Sequence, residues 1–230
     1  MKQKADHCIV YTINKRDIIK DPPIYQSPIA LYTNGTTNYF AKSILNIPNH
    51  KVRDYVYDPK ETHWHVNNEV TVKSNGDLMK LEQFHVHVPG EHTIDNVKFA
   101  IEAHFFFPDV SGSGNFLVYS VLGRLVPNDE KLSDKNIWSR ILAGQSINLG
   151  QFAGKSDYFS YPGSVTGSGN PPGHFPQNVL WEVFKNVQPI SQKDYDKLKL
   201  MSKIQRELQL RDGRNIIYAS VDCACNVKKN

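Results

Sequence analysis

Three histidines on two short alternating segments constrain the fold more than any other feature of this chain. In residues 83–88 the odd positions are polar and the even positions are apolar, and residues 97–106 alternate in the same way. Because successive side chains of a strand point to opposite faces, we predict two strands that carry His85, His87 and His104 on one face of a sheet. Pro89 and Gly90 supply the turn chemistry that lets the two strands pair. The apolar set on the other face is Phe84, Val86, Val88, Val97, Phe99, Ile101 and Ala103.

The three imidazoles predict a zinc site. Zinc in a hydrolytic or hydrating site takes three neutral ligands of this kind and leaves one position open for water. A zinc-bound histidine normally donates its other ring N–H to a carboxylate or an amide. Gln83 stands two residues before His85, and Glu102 stands two residues before His104, each on the matching face.

A second histidine pair has the same spacing and tests that interpretation. His63 and His65 follow Glu61, but no third histidine comes after them on an obvious partner strand. A single strand histidine is usually a surface or hydrogen-bonded core residue. We therefore predict the metal at the first set and not at this pair.

Several segments between about residues 26 and 218 resemble segments of the α-type carbonic anhydrases and follow one another in the same order as in that family. The matching segments are 26–29, 83–87, 91–93, 102–104, 157–166, Pro171-Pro172, Trp181 and 188–191. The resemblance implies a mainly β fold with peripheral helices, built on a large, central, mostly antiparallel twisted sheet. It also implies one domain over residues 1–230, with 1–20 and 221–230 as peripheral termini.

The function that the resemblance implies is reversible hydration of carbon dioxide to bicarbonate, with Zn²⁺ as cofactor and inhibition by sulfonamides. One alternative is a binding or adhesion module on the same fold, with weak or no catalysis. Relatives of that kind typically lose zinc histidines, and all three are present here. Another alternative is a zinc hydrolase with a larger substrate, which would suit an extended loop at residues 167–177.

By the same resemblance, Thr166 matches the threonine that orients the nucleophile, and Glu91 matches the carboxylate that accepts from this threonine. The substrate pocket is predicted to be lined by Phe106, Val121, Val165 and Trp181. Phe106 stands where the family usually has the smaller valine, so we expect it to narrow the pocket.

Fast family members move protons to solvent with a histidine on the strand before the zinc strands. The matching position here is Asn68, whose amide cannot titrate. His65 and His174 are the candidate substitutes.

Composition limits the partners. A chain of 230 residues with 40% hydrophobic content suits one large domain. The net charge of +4 is modest and scattered, and Lys228-Lys229 reads as a solvated tail, so we expect no nucleic-acid partner. No apolar run approaches ~18 residues, so no membrane span is predicted. We expect a monomer or a homodimer.

The residues at the chain ends do not decide between cellular compartments. The charged start lacks the apolar stretch of a signal peptide, which predicts a cytoplasmic protein if Met1 is the native start and a periplasmic or secreted one if a leader was removed. The three cysteines, Cys8, Cys223 and Cys225, leave at least one thiol unpaired in a monomer. Cys8 can pair with one of the other two, or all three are reduced.

Two helices and several strands are predicted from periodicity. One helix covers residues 133–142 and starts at Ser133. The other covers 191–208, has a cap of Ser191 with Asp194, and carries an apolar stripe through Leu198, Met201, Ile204 and Leu208 that we expect to pack on the sheet. Strands are expected near residues 55–57, 69–73, 78–88, 97–107, 116–126, 179–185 and 215–220.

Overall fold

The computed structural model describes residues 25–34, 38–42, 51–127, 132, 136–153, 156–167 and 177–220. The helices in these ranges are α1 (Ile137–Leu142), α2 (Gly150–Ala153) and α3 (Gln192–Lys199). The strands are β1 (Ala30–Leu31), β2 (Asn38–Lys42), β3 (Lys51–Val52), β4 (Tyr55–Asp58), β5 (His63–Val66), β6 (Thr71–Ser74), β7 (Asp77–Lys80), β8 (Gln83–His87), β9 (Thr93–Ile94), β10 (Val97–Lys98), β11 (Ile101–Pro108), β12 (Phe116–Leu125), β13 (Ile147–Asn148), β14 (Tyr158–Ser164), β15 (Gln177–Ile190) and β16 (Ile216–Ser220).

One large sheet organises the described residues. It has nine strands in the order β2-β16-β14-β15-β12-β11-β8-β5-β4. Neighbouring strands run antiparallel except for β2 with β16 and β12 with β15, which are parallel. The predicted fold class, mainly β with a large and mostly antiparallel sheet, is confirmed.

The two faces of this sheet carry different cores. We call the face that bears His85, His87 and His104 the site face. Its core includes Leu122, Phe159, Tyr161, Trp181 and Val183. The core on the opposite face includes Phe84, Val86, Ala103 and Phe105 with the helix residues Trp138 and Leu198. This division follows from strand alternation, because the middle strands of the sheet place apolar side chains on both sides. The buried polar exceptions on these strands include Glu102, Ser120, Ser160 and Glu182.

Two predicted strands are each interrupted. The segment 78–88 divides into β7 and β8, because the amide of Leu81 bonds to Val70 and the amide of Glu82 bonds to Phe106. The segment 97–107 divides into β10 and β11. Val97 is more than half exposed and Phe99 packs in the site-face core, so the prediction that both share a face with Ile101 is wrong.

The predicted helices are shorter in the structure. Asn136 caps α1 and accepts from the amides of Trp138 and Ser139. The Ser191 cap of α3 is present, with its hydroxyl accepting from the amide of Asp194 at 3.1 Å. This helix nevertheless ends at Lys199 and not at residue 208, and Ile204 is 71% exposed. The chain leaves the helix because its backbone bonds to the strand β8: the amide of Lys203 donates to the carbonyl of Val86 at 2.8 Å.

Several predictions lie outside the described residues. They concern the three cysteines, Ser133, Pro171-Pro172, His174, most of the 167–177 loop, the terminal ranges and Lys228-Lys229. None of the helices in the described ranges has the length and apolarity that a membrane-spanning helix needs.

Candidate metal centre

The pairing of β8 with β11 brings the three predicted ligands together. His85 stands directly opposite His104, and His87 stands opposite Glu102. The ring centroids lie 5.0 Å apart for His85 and His87, 5.2 Å for His85 and His104, and 4.7 Å for His87 and His104. One ligand nitrogen from each ring lies within 4.8 Å of the other two. This spacing is compact enough for one ion to be bound by all three.

Each imidazole has one ring nitrogen held by an acceptor from the protein. Nδ1 of His85 donates to Oε1 of Gln83 at 2.9 Å, and Nδ1 of His87 donates to the carbonyl of Ile204 at 3.2 Å. Nε2 of His104 donates to Oε1 of Glu102 at 2.8 Å. Such partners orient a metal-ligating histidine and select its tautomer. The second nitrogen of each ring is thereby available to a metal.

A buried nitrogen without a partner tests whether a metal fits. Within the described part of the chain, Nε2 of His87 is buried and has no hydrogen-bond partner. A buried polar atom left unpaired costs about 1–3 kcal/mol, and a bound ion is one explanation for such an atom. The donor set of three nitrogens is the one that zinc prefers in sites with an open position. The residues present therefore fit a zinc ion.

Burial keeps the three imidazoles neutral, as metal ligands must be. It is the main cause that lowers the pKa of His85 and of His87 well below 6.5, and repulsion from neighbouring imidazoles adds to it. Burial also lowers the pKa of His104, although Glu102 acts in the opposite direction.

Glu102 is the centre of a buried hydrogen-bond network behind the site. Its Oε2 accepts from the amides of Glu91 and His92 at 2.7 and 2.8 Å. Its Oε1 accepts from Nδ1 of His92 at 2.6 Å and from the hydroxyl of Ser120 at 2.6 Å, besides His104. Burial alone would raise the pKa of Glu102, but His92 and His104 hold it well below its usual range. The carboxylate is thus an ionised, fully bonded anchor for His104.

His92, Glu102 and His104 also lie close enough together for a metal ion. Nε2 of His92, however, lies 2.5 Å from the hydroxyl of Tyr161. Both nitrogens of His92 therefore have partners from the protein, and we interpret this second group as a structural network.

Glu91 and Thr166 are both buried, and Oε2 of Glu91 lies 4.0 Å from Nε2 of His104. Oε1 of Glu91 accepts from the amide of Arg206 at 2.7 Å and lies 3.3 Å from Nδ1 of His87. Burial, followed by repulsion from Glu102, raises the pKa of Glu91 well above 4.5, whereas hydrogen bonds from the Arg206 amide and the Thr166 side chain lower it. A metal ion bound by the three neutral imidazoles would favour the ionised carboxylate of Glu91.

The predicted pocket residues divide between the two faces of the sheet. The Trp181 ring lies 4.8 Å from the His104 ring, and Val165 and Phe106 pack against the same site-face core. Phe106 stacks on Phe116 with ring centroids 5.0 Å apart. Val121 is wrongly placed in the prediction: it pairs with Ala103 and packs in the opposite core, because it is one residue out of phase with the site face.

Val118 and Leu122 occupy the site-face positions of β12 instead. Together with Trp181 they make this side of the site apolar.

The predicted proton-shuttle position has another role in the structure. The side-chain oxygen of Asn68 accepts from the amides of Arg53 and Asp54 at 2.9 and 3.1 Å, and its nitrogen donates to the carbonyl of Lys51 at 3.0 Å. These three bonds tie the Asn68 amide to the backbone at residues 51–54.

The second histidine pair, His63 and His65, is adjacent to the candidate metal site, which the sequence did not indicate. Its strand β5 pairs directly with β8, with His65 opposite Gln83. Strand alternation then places His63 on the site face beside His85, and His63 is among the groups that lower the pKa of His85. His63 is buried, whereas the His65 side chain is 50% exposed.

Sequence reasoning missed the contributions of Ile204 and Arg206. Both act through backbone atoms, the carbonyl of Ile204 and the amide of Arg206, so their side-chain types carry no signal. The predicted extension of α3 to residue 208 also concealed them. His92 and Ser120 belong to the network of Glu102; His92 lies in a segment that matched the resemblance, whereas Ser120 had no such signal.

Comparisons with curated proteins agree with this geometry. No family model matches the chain. It is 30% identical over 128 residues to alpha carbonic anhydrase 2 of Arabidopsis thaliana, covering 51% of this chain and 49% of that protein. It is 29% identical over 157 residues to a carbonic anhydrase of Neisseria gonorrhoeae, covering 64% and 59%. The chain thus spans about half the length of the curated relatives it matches.

Solved structures share the fold at lower identity. Dioscorin complexed with ascorbate has a TM-score of 0.67 at 20% identity, covering 88% of each chain. The α-carbonic anhydrase of Photobacterium profundum has a TM-score of 0.66 at 22% identity, covering 86% of this chain and 90% of that one. The Thermovibrio ammonificans α-carbonic anhydrase in complex with sulfanilamide has a TM-score of 0.62 at 24% identity, covering 85% and 87%.

Proposed function

We propose that this chain, a member of the α-carbonic anhydrase family, catalyses the reversible hydration of carbon dioxide to bicarbonate and a proton, with one zinc ion bound by His85, His87 and His104. The observation that carries the proposal is the convergence of three neutral imidazoles. Each has one ring nitrogen hydrogen-bonded to the protein, and Nε2 of His87 is buried and unpaired. A zinc ion with an open position lowers the pKa of its bound water to about 7, which supplies a nucleophile at neutral pH.

Thr166 and Glu91 would orient that nucleophile and not supply a proton. The Arg206 amide fixes the carboxylate of Glu91 from behind, which leaves it able to accept from the Thr166 hydroxyl. The hydroxyl oxygen of Thr166 can then accept a hydrogen bond from the nucleophile. These two preorganised hydrogen bonds would fix the orientation of the nucleophile, so that one of its lone pairs points toward the substrate.

The substrate would lie against the apolar wall beside His104. Carbon dioxide is uncharged and needs a dry surface, which Trp181, Val165, Val118 and Leu122 offer. Phe106 reaches the same core from β11 and would limit the room for substrate.

Proton release would use His63 and His65. Nε2 of His63 lies 3.1 Å from Nε2 of His65, so a buried imidazole beside His85 is linked to a half-exposed one. An imidazole is the side chain that accepts and releases protons near neutral pH. The contacts of Asn68 support no such role, because its amide is bonded to the backbone at residues 51–54.

The decisive experiment measures carbon dioxide hydration by stopped flow and zinc content on the same sample. We expect one zinc per chain and activity that rises with pH through about 7. An unsubstituted sulfonamide should inhibit. His104→Ala should lose both zinc and activity, and Lys73→Ala, an exposed residue of β6 in a separate two-stranded sheet, serves as the control. Zinc retained in full by His104→Ala would contradict the ligand set.

The alternative is a binding module on the same fold. The similarity to dioscorin in complex with ascorbate favours keeping this candidate. A fully zinc-loaded protein that hydrates carbon dioxide no faster than buffer alone would support the binding module over the enzyme.

A further inference from the structure

We propose that Lys203 gives the three-histidine site, formed by His85, His87 and His104, a binding position for small inorganic anions. Bicarbonate, the product of the proposed reaction, belongs to this class of ligand. The inference rests on the proposed function, because it concerns the same site with its metal bound. It adds the residue that selects for negative charge.

The backbone places Lys203 beside His87. Strand β5 pairs with β8 at Phe84 and Gln83, and the chain around residue 203 lies along the same edge of β8 farther on. The amide of Lys203 donates to the carbonyl of Val86 at 2.8 Å, and Lys203 pairs with His87 in a parallel bridge. Side chains of residues paired in this way point to the same side of a sheet. The Lys203 side chain therefore starts on the site face, next to a predicted metal ligand.

The charge of Lys203 acts on the whole histidine cluster. Its ammonium group is among the causes that lower the pKa of His85, His87 and His104. It also lowers the pKa of the neighbouring His63. Because the interaction between charges falls off with distance, these effects agree with the bridge and place the ammonium on the side where the four rings converge.

The ammonium lacks a partner from the described part of the chain, where it donates no hydrogen bond and forms no ion pair. The carboxylate of Glu61 favours its positive charge, but the Glu61 side chain is 64% exposed and lies beyond ion-pair distance. Burial lowers the pKa of Lys203 below 10.5, since the group is partly withdrawn from water. A partly buried cation without a counter-ion favours the binding of an anion.

Two buried carboxylates near the three histidines have other partners. Glu102 is bonded to the imidazoles of His92 and His104, and Glu91 accepts from the amide of Arg206. Neither of these carboxylates forms an ion pair with Lys203. An anion bound at the metal would therefore be attracted by the charge of Lys203 as well as by that of the ion, whereas an uncharged ligand would gain nothing from the lysine.

The test uses the cobalt-substituted protein, because Co²⁺ accepts the same nitrogen ligands and its visible spectrum changes when an anion binds. Azide is titrated at pH about 6, where metal-bound water is not yet ionised. Lys203→Met keeps the alkyl chain and removes the charge, so it should raise the Kd of azide on the order of 10-fold. Lys203→Arg keeps the charge and should stay within about 3-fold of the wild type.

Two controls separate charge from other effects. Lys73→Met removes an exposed lysine of β6, in a separate two-stranded sheet, and should not change the Kd of azide. Pyridine is a neutral ligand for the same metal, so its affinity should be equal in Lys203→Met and in the wild type. Circular dichroism and cobalt content check that each variant is folded and loaded.

A change in azide affinity of less than about 2-fold in Lys203→Met would overturn the proposal. Equal weakening of azide and pyridine would also overturn it, because the variant would then have altered the metal site as a whole. A metal-loaded protein that does not hydrate carbon dioxide, but loses azide affinity in Lys203→Met, would reject the proposed reaction and support this inference. An active protein whose azide affinity is independent of Lys203 would do the opposite, and a chain that takes up no metal would overturn both.

Discussion

Replacing Glu182 with glutamine should stabilise the protein increasingly as the pH rises. Glu182 lies on β15 opposite Tyr119 of β12 and Ser160 of β14, and it is 5% exposed. Among the described residues its Oε2 has no hydrogen-bond partner. Burial raises the pKa of this carboxyl from 4.5 to about 8. The folded protein therefore holds a neutral acid in its core at neutral pH.

The sign follows from the two pKa values. An unfolded chain ionises Glu182 near 4.5, but the folded chain ionises it near 8, so folding takes up a proton between these values. The contribution of this group to stability is complete below pH 4.5, falls as the pH rises, and is lost above pH 8. One pKa unit corresponds to about 1.4 kcal/mol, so the loss from about pH 6 to about pH 9 amounts to about 2–3 kcal/mol.

The assay is urea unfolding followed by tryptophan fluorescence at several pH values in this range. The free energy of unfolding of Glu182→Gln minus that of the wild type should grow by about 2–3 kcal/mol from the lowest to the highest pH. Other titrating groups, including any metal ligands, cancel in this difference. Glu69→Gln, which changes an exposed carboxyl, is the control and should track the wild type. Parallel curves for Glu182→Gln and wild type would refute the reasoning.

Three predictions concern the proposed reaction. Thr166→Ala should lower carbon dioxide hydration on the order of 10²-fold with zinc content unchanged, because it removes a preorganised hydrogen bond; an unaltered rate would exclude this role. Phe106→Val should raise the second-order rate constant or leave it unchanged, and a large fall without zinc loss would show that the pocket is wrongly assigned. Replacing both His63 and His65 with glutamine should make turnover depend more steeply on imidazole buffer while the second-order rate constant stays constant. Equal buffer dependence in wild type and variant would place proton release elsewhere.

Local patterns in the sequence were sufficient to bring together the three histidines of the candidate metal centre. The alternation in residues 83–88 indicated which side chains share a face, and β8 indeed places His85 and His87 together with His104 of β11. The partners Gln83 and Glu102 follow from the same parity, since residues two apart on a strand are neighbours on one face. The Ser191 cap of α3 was equally local, because a hydroxyl and an amide three residues later suffice to form it.

The tertiary structure decided whatever depends on strands that are distant in the sequence. A one-residue phase difference places Val121 on the opposite face, and only the pairing of β12 with β11 reveals it. The adjacency of β5 to β8 brings His63 to the three-histidine cluster, although nothing near residue 63 predicts that partner strand. The backbone of residues 203–206 leaves the helical path because it bonds to Val86, His87 and Glu91. Side-chain periodicity reports burial and local conformation, whereas backbone hydrogen bonds between distant segments form only when the whole sheet has assembled.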